Sequence, residues 1–251
     1  MLNSCATLNA SDNMPLISVI TITYNAATTL PRTLESVAAQ SFHDFEYLVI
    51  DGASKDNTVA LAKAYAIAQV FSEPDRGLYD AMNKGLRRAS GDYVIFLNAG
   101  DKFHSSNTLQ QYADAINNAP EPPGIVYGQT RIVDDNGNYL CERHLRAPEK
   151  LTKRSFLNGM EVCHQAMCVR RSIAPEYDLN YRFSADYDWA VKVLTKSSLN
   201  IYIPNYVADY LSEGITTANH RASLWERFHS MRHHYGLFPT IWSHFKKAIR
   251  K

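Results

Sequence analysis

The sequence predicts an α/β fold with a largely parallel central sheet flanked by helices. Three observations predict it. Four apolar runs between residues 16 and 101 each stop at a short polar cluster. Each of the first three is followed directly by a stretch whose apolar residues recur at helical spacing, and the fourth by one shortly after its polar cluster. After Asp101 the rhythm changes to a more mixed pattern. Alternating strands and helices form right-handed βαβ units, which lay their strands parallel. Ligands bind beyond the carboxyl ends of such strands, so the four polar clusters are expected along one edge.

In order, residues 16–25 form the first strand and stop at Thr23-Tyr24-Asn25. Thr28-Thr29 caps a helix through about Gln40, with Leu30, Leu34 and Val37 on one face. The second strand, 46–50, stops at Asp51-Gly52-Ala53-Ser54, and Asp56 heads the next helix. The third, 70–74, stops at Asp75-Arg76-Gly77 and leads into a helix over 78–89. The fourth, 92–97, stops at Asn98-Ala99-Gly100-Asp101, with a helix expected over 105–118.

The second half reads differently. Residues 125–133 form a strand, 135–138 a turn and 139–141 its hairpin partner. A helix is expected over 184–196 and a strand over 200–204. The expected organisation is a disordered leader over 1–14, one domain over 15–220 and a basic, aromatic helical tail over 221–251. Within the domain, 15–105 is the nucleotide-binding half, and 106–220 shapes the pocket of the other substrate.

Bulk properties narrow the function. A net charge of +1 gives no global pull toward nucleic acid. Cys5, Cys141, Cys163 and Cys168 are too irregularly spaced for a disulfide framework. Cys163 and Cys168 flank His164 without the second close pair of ligands that zinc needs. Reduced thiols in a cytoplasmic protein fit best. No apolar run approaches the ~20 residues of a membrane span, and residues 1–13 carry no signal-peptide pattern.

Each cluster has a chemical and a plainer reading. Asp51, at a tight turn, accepts a pyrimidine N–H or forms an Asx turn. Asp75 accepts from a base or ribose, and Arg76 pairs with a phosphate. Asp101 holds Mg²⁺ or Mn²⁺ against a diphosphate or caps the next helix. Asp186 and Asp188 lie two apart at a helix start, so they do not share a face. One acts as general base, or both compensate the helix dipole. His164-Gln165 meets a substrate or sits satisfied in the core.

Taken together, residues 17–25 (ISVITITYN), 49–58 (VIDGASKDNT), 77–85 (GLYDAMNKG) and 91–101 (GDYVIFLNAGD) resemble the family 2 glycosyltransferases of GT-A fold. His164-Gln165 and Ala185-Asp186-Tyr187-Asp188 extend the resemblance. It implies a Rossmann-like nucleotide half and an inverting transfer of sugar from a UDP-linked donor to a hydroxyl. By position, Thr23, Tyr24 and Asp51 hold the base, and Asn25 belongs to the nucleotide- and donor-binding set. Asp75, Arg76, Gly77, Asn83 and Asn98 surround the nucleotide and donor. Asp101 carries a weakly held Mn²⁺ or Mg²⁺. Asp186 is the base, Asp188 its rival, and His164 and Gln165 face the acceptor and diphosphate. The family usually has Asp-x-Asp where this chain has Asn98 and Gly100. That departure supports an alternative, a catalytically weakened nucleotide-sugar-binding or scaffold protein.

Related sequences build bacterial surface polysaccharides on glycan or lipid-linked acceptors, which implies work at the inner face of the cytoplasmic membrane. The tail carries Arg221, Arg227, Arg232, Lys246, Lys247, Arg250 and Lys251 against one acid, Glu226, with Trp and Phe interleaved. Such a segment lies on an anionic membrane or packs on the body with its lysines solvated. Gly236 and Pro239 break it. The lack of a glycine-rich, basic loop after the first strand argues against a nucleotidyltransferase. A dinucleotide dehydrogenase is excluded by the lack of Gly-x-Gly-x-x-Gly.

Overall fold

A computed structural model describes residues 14–212 and 220–249. The leader over 1–13, and with it the expected disorder, lies outside the described residues, as do Arg250 and Lys251. The first half runs β1 (Ile17–Thr23), α1 (Leu30–Ala38), β2 (Phe45–Asp51), α2 (Thr58–Lys63), β3 (Ala68–Ser72), α3 (Leu78–Arg88) and β4 (Tyr93–Phe96). The rest runs β5 (Lys102–Phe103), α4 (Thr108–Asn117), β6 (Ile125–Val133), β7 (Tyr139–Glu142), β8 (Met167–Arg170), α5 (Ala185–Lys196) and β9 (Asn200–Leu211). Two helices close the chain, α6 (His220–Tyr235) and α7 (Leu237–Ile249).

One sheet takes the strands in the order β3-β2-β1-β4-β8-β6-β9-β5, with β7 beside β6. β1 pairs parallel with β2 and β4, and β2 pairs parallel with β3. All of β1 and β4 is buried, which is why both read as continuous apolar runs rather than alternating ones. The register sets Thr23 beside Asp51 and Asp51 beside Ser72, so the strand ends finish level. β8 then joins antiparallel to β4 and β6, while β6 and β9 run parallel. The expected sheet is present, parallel in its first half and mixed in its second.

Three expectations change. The strand expected over 200–204 continues past Pro204 to Leu211. Proline lacks an N–H for the ladder, and the β6–β9 register shifts there before pairing resumes at Gln129 and Tyr206. Residues 167–170 form a strand that their unpatterned apolar sequence did not announce. Asp56 precedes its helix by two residues and accepts from the backbone N–H and hydroxyl of Thr58. In the tail, Gly236 adopts φ +84° and separates α6 from α7, while Pro239 sits inside α7.

An aromatic stack ties the two halves together. Tyr177 stacks on Tyr79 of α3 at 5.6 Å and on Trp189 of α5 at 5.1 Å. Phe96 of β4 meets Tyr177 and Trp189 edge-on. Such pairs contribute about 0.5–1.5 kcal/mol each beyond area burial. They fix the start of α5 against α3 and the end of β4.

Candidate active site at the strand ends

The carboxyl ends of β1, β2 and β3 meet around Asp51. Its carboxylate accepts from Thr23 Oγ1 (3.0 Å), Ser72 Oγ (2.7 Å), Ser54 Oγ (2.5 Å) and the Ser54 backbone N–H (2.9 Å). Burial raises its pKa, but the Ser54 and Ser72 donors outweigh that, and the group is held below the ordinary carboxylate value. Asp51 is therefore a fixed anion at the sheet edge. Asn25 adopts φ 48° and Ala53 φ 60°. Asparagine tolerates that region, whereas alanine stores strain there, a feature that clusters at functional sites. The Asn25 backbone N–H donates to Ser54 Oγ, and Asn25 Oδ1 accepts from the Lys55 N–H, locking the two loops together. Beside them Tyr24 is 64 % exposed, an open aromatic face.

Asp75 comes in over Gly52. A Cβ on Gly52 would lie 2.3 Å from Asp75 Oδ2, so only glycine permits this approach. Asp75 Oδ1 accepts from the Gly77 N–H, and Asp80 Oδ2 accepts from the Arg76 N–H, which pins the start of α3. The Arg76 guanidinium is exposed and lies 3.4 Å from Asp80. Asn83, expected beside the donor, is turned into the core. Both ends of its amide bond the Tyr177 backbone, at 2.9 and 2.7 Å.

A second cluster gathers at the end of β4 and the start of α5. Asp186 Oδ1 accepts from Tyr79 Oη (3.2 Å) and from the Tyr187 N–H (2.9 Å). His164 Nδ1 lies 3.7 Å from Asp186 Oδ2, within ion-pair reach but beyond a hydrogen bond. Its Nε2 lies 3.3 Å from Asn98 Nδ2. Burial raises the Asp186 pKa, but His164, the Tyr187 N–H and Tyr79 outweigh it, and the carboxyl stays below its ordinary value. Its side chain is 24 % exposed. The first turn of α3 bridges the two clusters, with Gly77 at Asp75 and Tyr79 at Asp186.

Asp188 faces elsewhere, as its spacing from Asp186 predicts. Its side chain is 2 % exposed and ion-paired to Lys192 (2.6 Å), with His234 Nε2 at 2.7 Å and Ser230 Oγ at 3.3 Å. Burial raises its pKa, and His234 and Lys192 reverse that. It fastens α5 to α6.

Asp101 is also turned inward. Its oxygens accept from the Leu211 N–H (3.0 Å) and Gln165 Nε2 (2.8 Å), and Gln165 Oε1 accepts from Cys163 Sγ. Gly100, at φ +102°, makes the turn and would bring a Cβ to 2.8 Å from Leu211. The donor set does not fit a hard divalent cation, which takes several oxygen ligands. Each Asp101 oxygen already accepts one hydrogen bond, Asp101 is buried, and the unpaired oxygen beside it is the neutral, buried Asn98 Oδ1. Among the described residues no cluster of three His, Cys, Asp or Glu could hold a metal. Asp101 is thus a structural anchor between β9 and the Gln165 turn.

Burial pushes the Asp101 pKa up to about 6, against the partial relief of Leu211, Gln165, His164 and Arg32. A raised folded pKa adds stability below the unfolded value, and this is lost as pH rises through the folded one. Asp101→Asn is therefore expected to gain on wild type by on the order of 2–3 kcal/mol between about pH 4 and pH 6. Urea midpoints across that range check it, and a stability gap that does not change with pH refutes it.

Tyr79, Ser54 and Ser72 were assigned no role from sequence. The Asp51–Ser72 register would have found Ser72, and Tyr79 lies within a quoted motif. An open cleft of about 430 Å³ lined by Arg32, Lys102, His104 and Asp135 shares no residue with either cluster.

Comparisons with known proteins agree with this arrangement. The sequence matches the Glycosyl transferase family 2 model over residues 18–177. A PGL/p-HBAD biosynthesis glycosyltransferase of Mycobacterium bovis is 34% identical over 206 residues, 78% of this chain and 77% of the relative. S. aureus TarS in complex with UDP-GlcNAc superposes with a TM-score of 0.68 at 20% identity, covering 86% of this chain and 64% of that one. The mannosyltransferase PcManGT from Pyrobaculum calidifontis, in complex with GDP-Man and Mn²⁺, gives 0.60 at 21% identity, covering 95% and 65%. The polar edge of the sheet, the family match and the M. bovis relative lead to one conclusion: the chain belongs to glycosyl transferase family 2 and is a glycosyltransferase of GT-A fold.

Proposed function

We propose that the protein transfers a sugar, with inversion, from a UDP-linked donor to a hydroxyl of a glycan or lipid-linked acceptor in surface polysaccharide synthesis. The observation that carries this is Asp186. It is an ionised, partly exposed carboxylate held by Tyr79 beside the strand ends. In the reaction Asp186 takes the acceptor proton. The acceptor oxygen forms the new bond to the anomeric carbon, and the bond from that carbon to the diphosphate oxygen breaks on the opposite face. UDP leaves with the electron pair. Asp188 is too enclosed by Lys192 and His234 to compete as base.

In this reading Asp51 exchanges one of its hydroxyl donors, Ser54 or Ser72, for the uracil N–H, Tyr24 lies against the ring, and Asp75 meets the ribose. Arg76 offsets charge on the diphosphate. His164 and Gln165 lie on the acceptor side. No step is routed through a divalent cation; a Mn²⁺ or Mg²⁺ ion would offset diphosphate charge only if the donor brought it. The free thiols of Cys141, Cys163 and Cys168 support a cytoplasmic site of action.

Calorimetry tests the donor. UDP is expected to bind and GDP to bind at least about tenfold more weakly, with Asp51→Asn weakening UDP by about tenfold or more. Equal affinity for the two nucleotides, or no effect of Asp51→Asn, refutes the uridine assignment. A titration with and without Mn²⁺ measures the metal's share. The inward Asp101 favours a second reading, a donor-binding protein without turnover. Measurable transfer or donor hydrolysis removes it.

A further inference from the structure

The last helix, α7, inverts the usual pattern of a soluble helix, which turns its apolar stripe to the core. Among the described side chains of α7 the buried ones are polar. Ser243 Oγ donates to the Leu157 carbonyl, and Thr240 Oγ1 to Gly236. The outward positions are Phe238, Ile241, Trp242, Phe245 and Ile249, with Phe238 86 % and Trp242 57 % exposed. The apolar face continues onto α6, where Phe228 stacks on the exposed Trp225 at 6.0 Å and meets His244 of α7 at 5.5 Å. A contiguous exposed apolar surface of this kind marks an interaction site.

Charge identifies the occupant. Arg221, Arg232 and Lys246 are exposed on these helices, and Lys246 Nζ lies 5.3 Å over the Trp242 ring. Glu226 is the one acid in residues 220–251 of the sequence. It is spent on the body, where it accepts the backbone N–H groups of Arg182, Phe183 and Ser184. The outward face of the pair is thus apolar and positive, with no carboxylate of its own.

We propose that this face docks on an anionic phospholipid bilayer. A second copy of the chain is a poorer occupant, since it would set cation against cation with no acid between them. At 16 and 13 residues the helices are short of the ~20 that span a membrane, so they lie in the interface. The docking face is mechanically tied to Asp186. Glu226 caps the start of α5, and His234 holds Asp188 in the first turn that carries Asp186. A bilayer under α7 therefore sets the height of the base above the lipid headgroups. The docking itself does not depend on the donor or the reaction proposed above.

Cosedimentation of the full chain with sucrose-loaded vesicles tests this. Binding is expected to phosphatidylcholine vesicles containing phosphatidylglycerol, to weaken with salt, and to be at least tenfold lower on phosphatidylcholine alone, an order-of-magnitude figure. Phe238→Ser/Trp242→Ser/Phe245→Ser is expected to lower partitioning by about tenfold or more, with the thermal melt and UDP affinity unchanged. If the triple variant does not melt cooperatively, Phe238→Ser alone is expected to lower partitioning severalfold. No binding to the mixed vesicles, equal binding to both, or wild-type binding by the variants overturns the proposal. So does a concentration-dependent dimer that the triple variant abolishes in the absence of vesicle binding.

Discussion

Asp186→Asn is expected to lower the transfer rate by about 10²- to 10⁴-fold, the range general base catalysis supplies, while UDP affinity stays within about twofold. Asparagine keeps the side chain's shape, and its Oδ1 still accepts from Tyr79 and the Tyr187 N–H. What is lost is the ability to take a proton from the acceptor. The loss should fall on kcat, because the proton moves in the transition state and not on donor binding. Wild type should stay active well into acid, since Asp186 is held below its ordinary value and remains ionised there. Asp188→Asn separates position from chemistry. It weakens the pairs to Lys192 and His234 that fasten α5 to α6, so it should lower thermal stability and keep most of kcat. Rate measurements with saturating donor decide between them. Normal turnover by Asp186→Asn, or a larger rate loss in Asp188→Asn, would remove Asp186 from the role.

The first half of the sheet was legible because its signals are local. An apolar run stopping at Asp51-Gly52 marks the end of a buried parallel strand, and parallel strands finish on one edge. The separation of Asp186 from Asp188 followed from helix geometry alone. The second half was less legible because its contacts are long-range. Residues 167–169 are buried on both faces, so they show no period. Pro204 looked like a strand end, and a register shift carries β9 past it. Asp101 read as an open ligand because the groups that take its oxygens, Leu211 and Gln165, are distant in sequence. Asp188 read as a rival base for the same reason, since its partner His234 belongs to the tail.

The same long-range logic makes Asp209 the residue whose loss should cost the fold most. It is fully buried on β9 and binds Arg131 of β6 through Nε (2.6 Å) and Nη2 (3.0 Å). His104 Nδ1 lies at 2.8 Å and Lys102 Nζ of β5 at 3.6 Å. One carboxylate thus closes three strands, and Asp209 stands in register with both Arg131 and Lys102. Asp209→Ala leaves a partly buried guanidinium and ammonium without their counter-ion, a change that costs about 3–5 kcal/mol. In a chain of this size that is on the order of 6–20 °C in melting temperature. Burial raises the Asp209 pKa, but Arg131 and His104 outweigh it and hold it below 3.8. Its contribution is therefore complete above that value and lost as pH falls through the lower folded value. The gap between wild type and Asp209→Ala should close in strong acid. Arg131→Met with Asp209→Leu removes both charges, and a double-mutant cycle should return a favourable coupling of the pair. A melt of Asp209→Ala within about 2 °C of wild type at neutral pH would show that solvent replaces the carboxylate, and that backbone pairing alone holds β9.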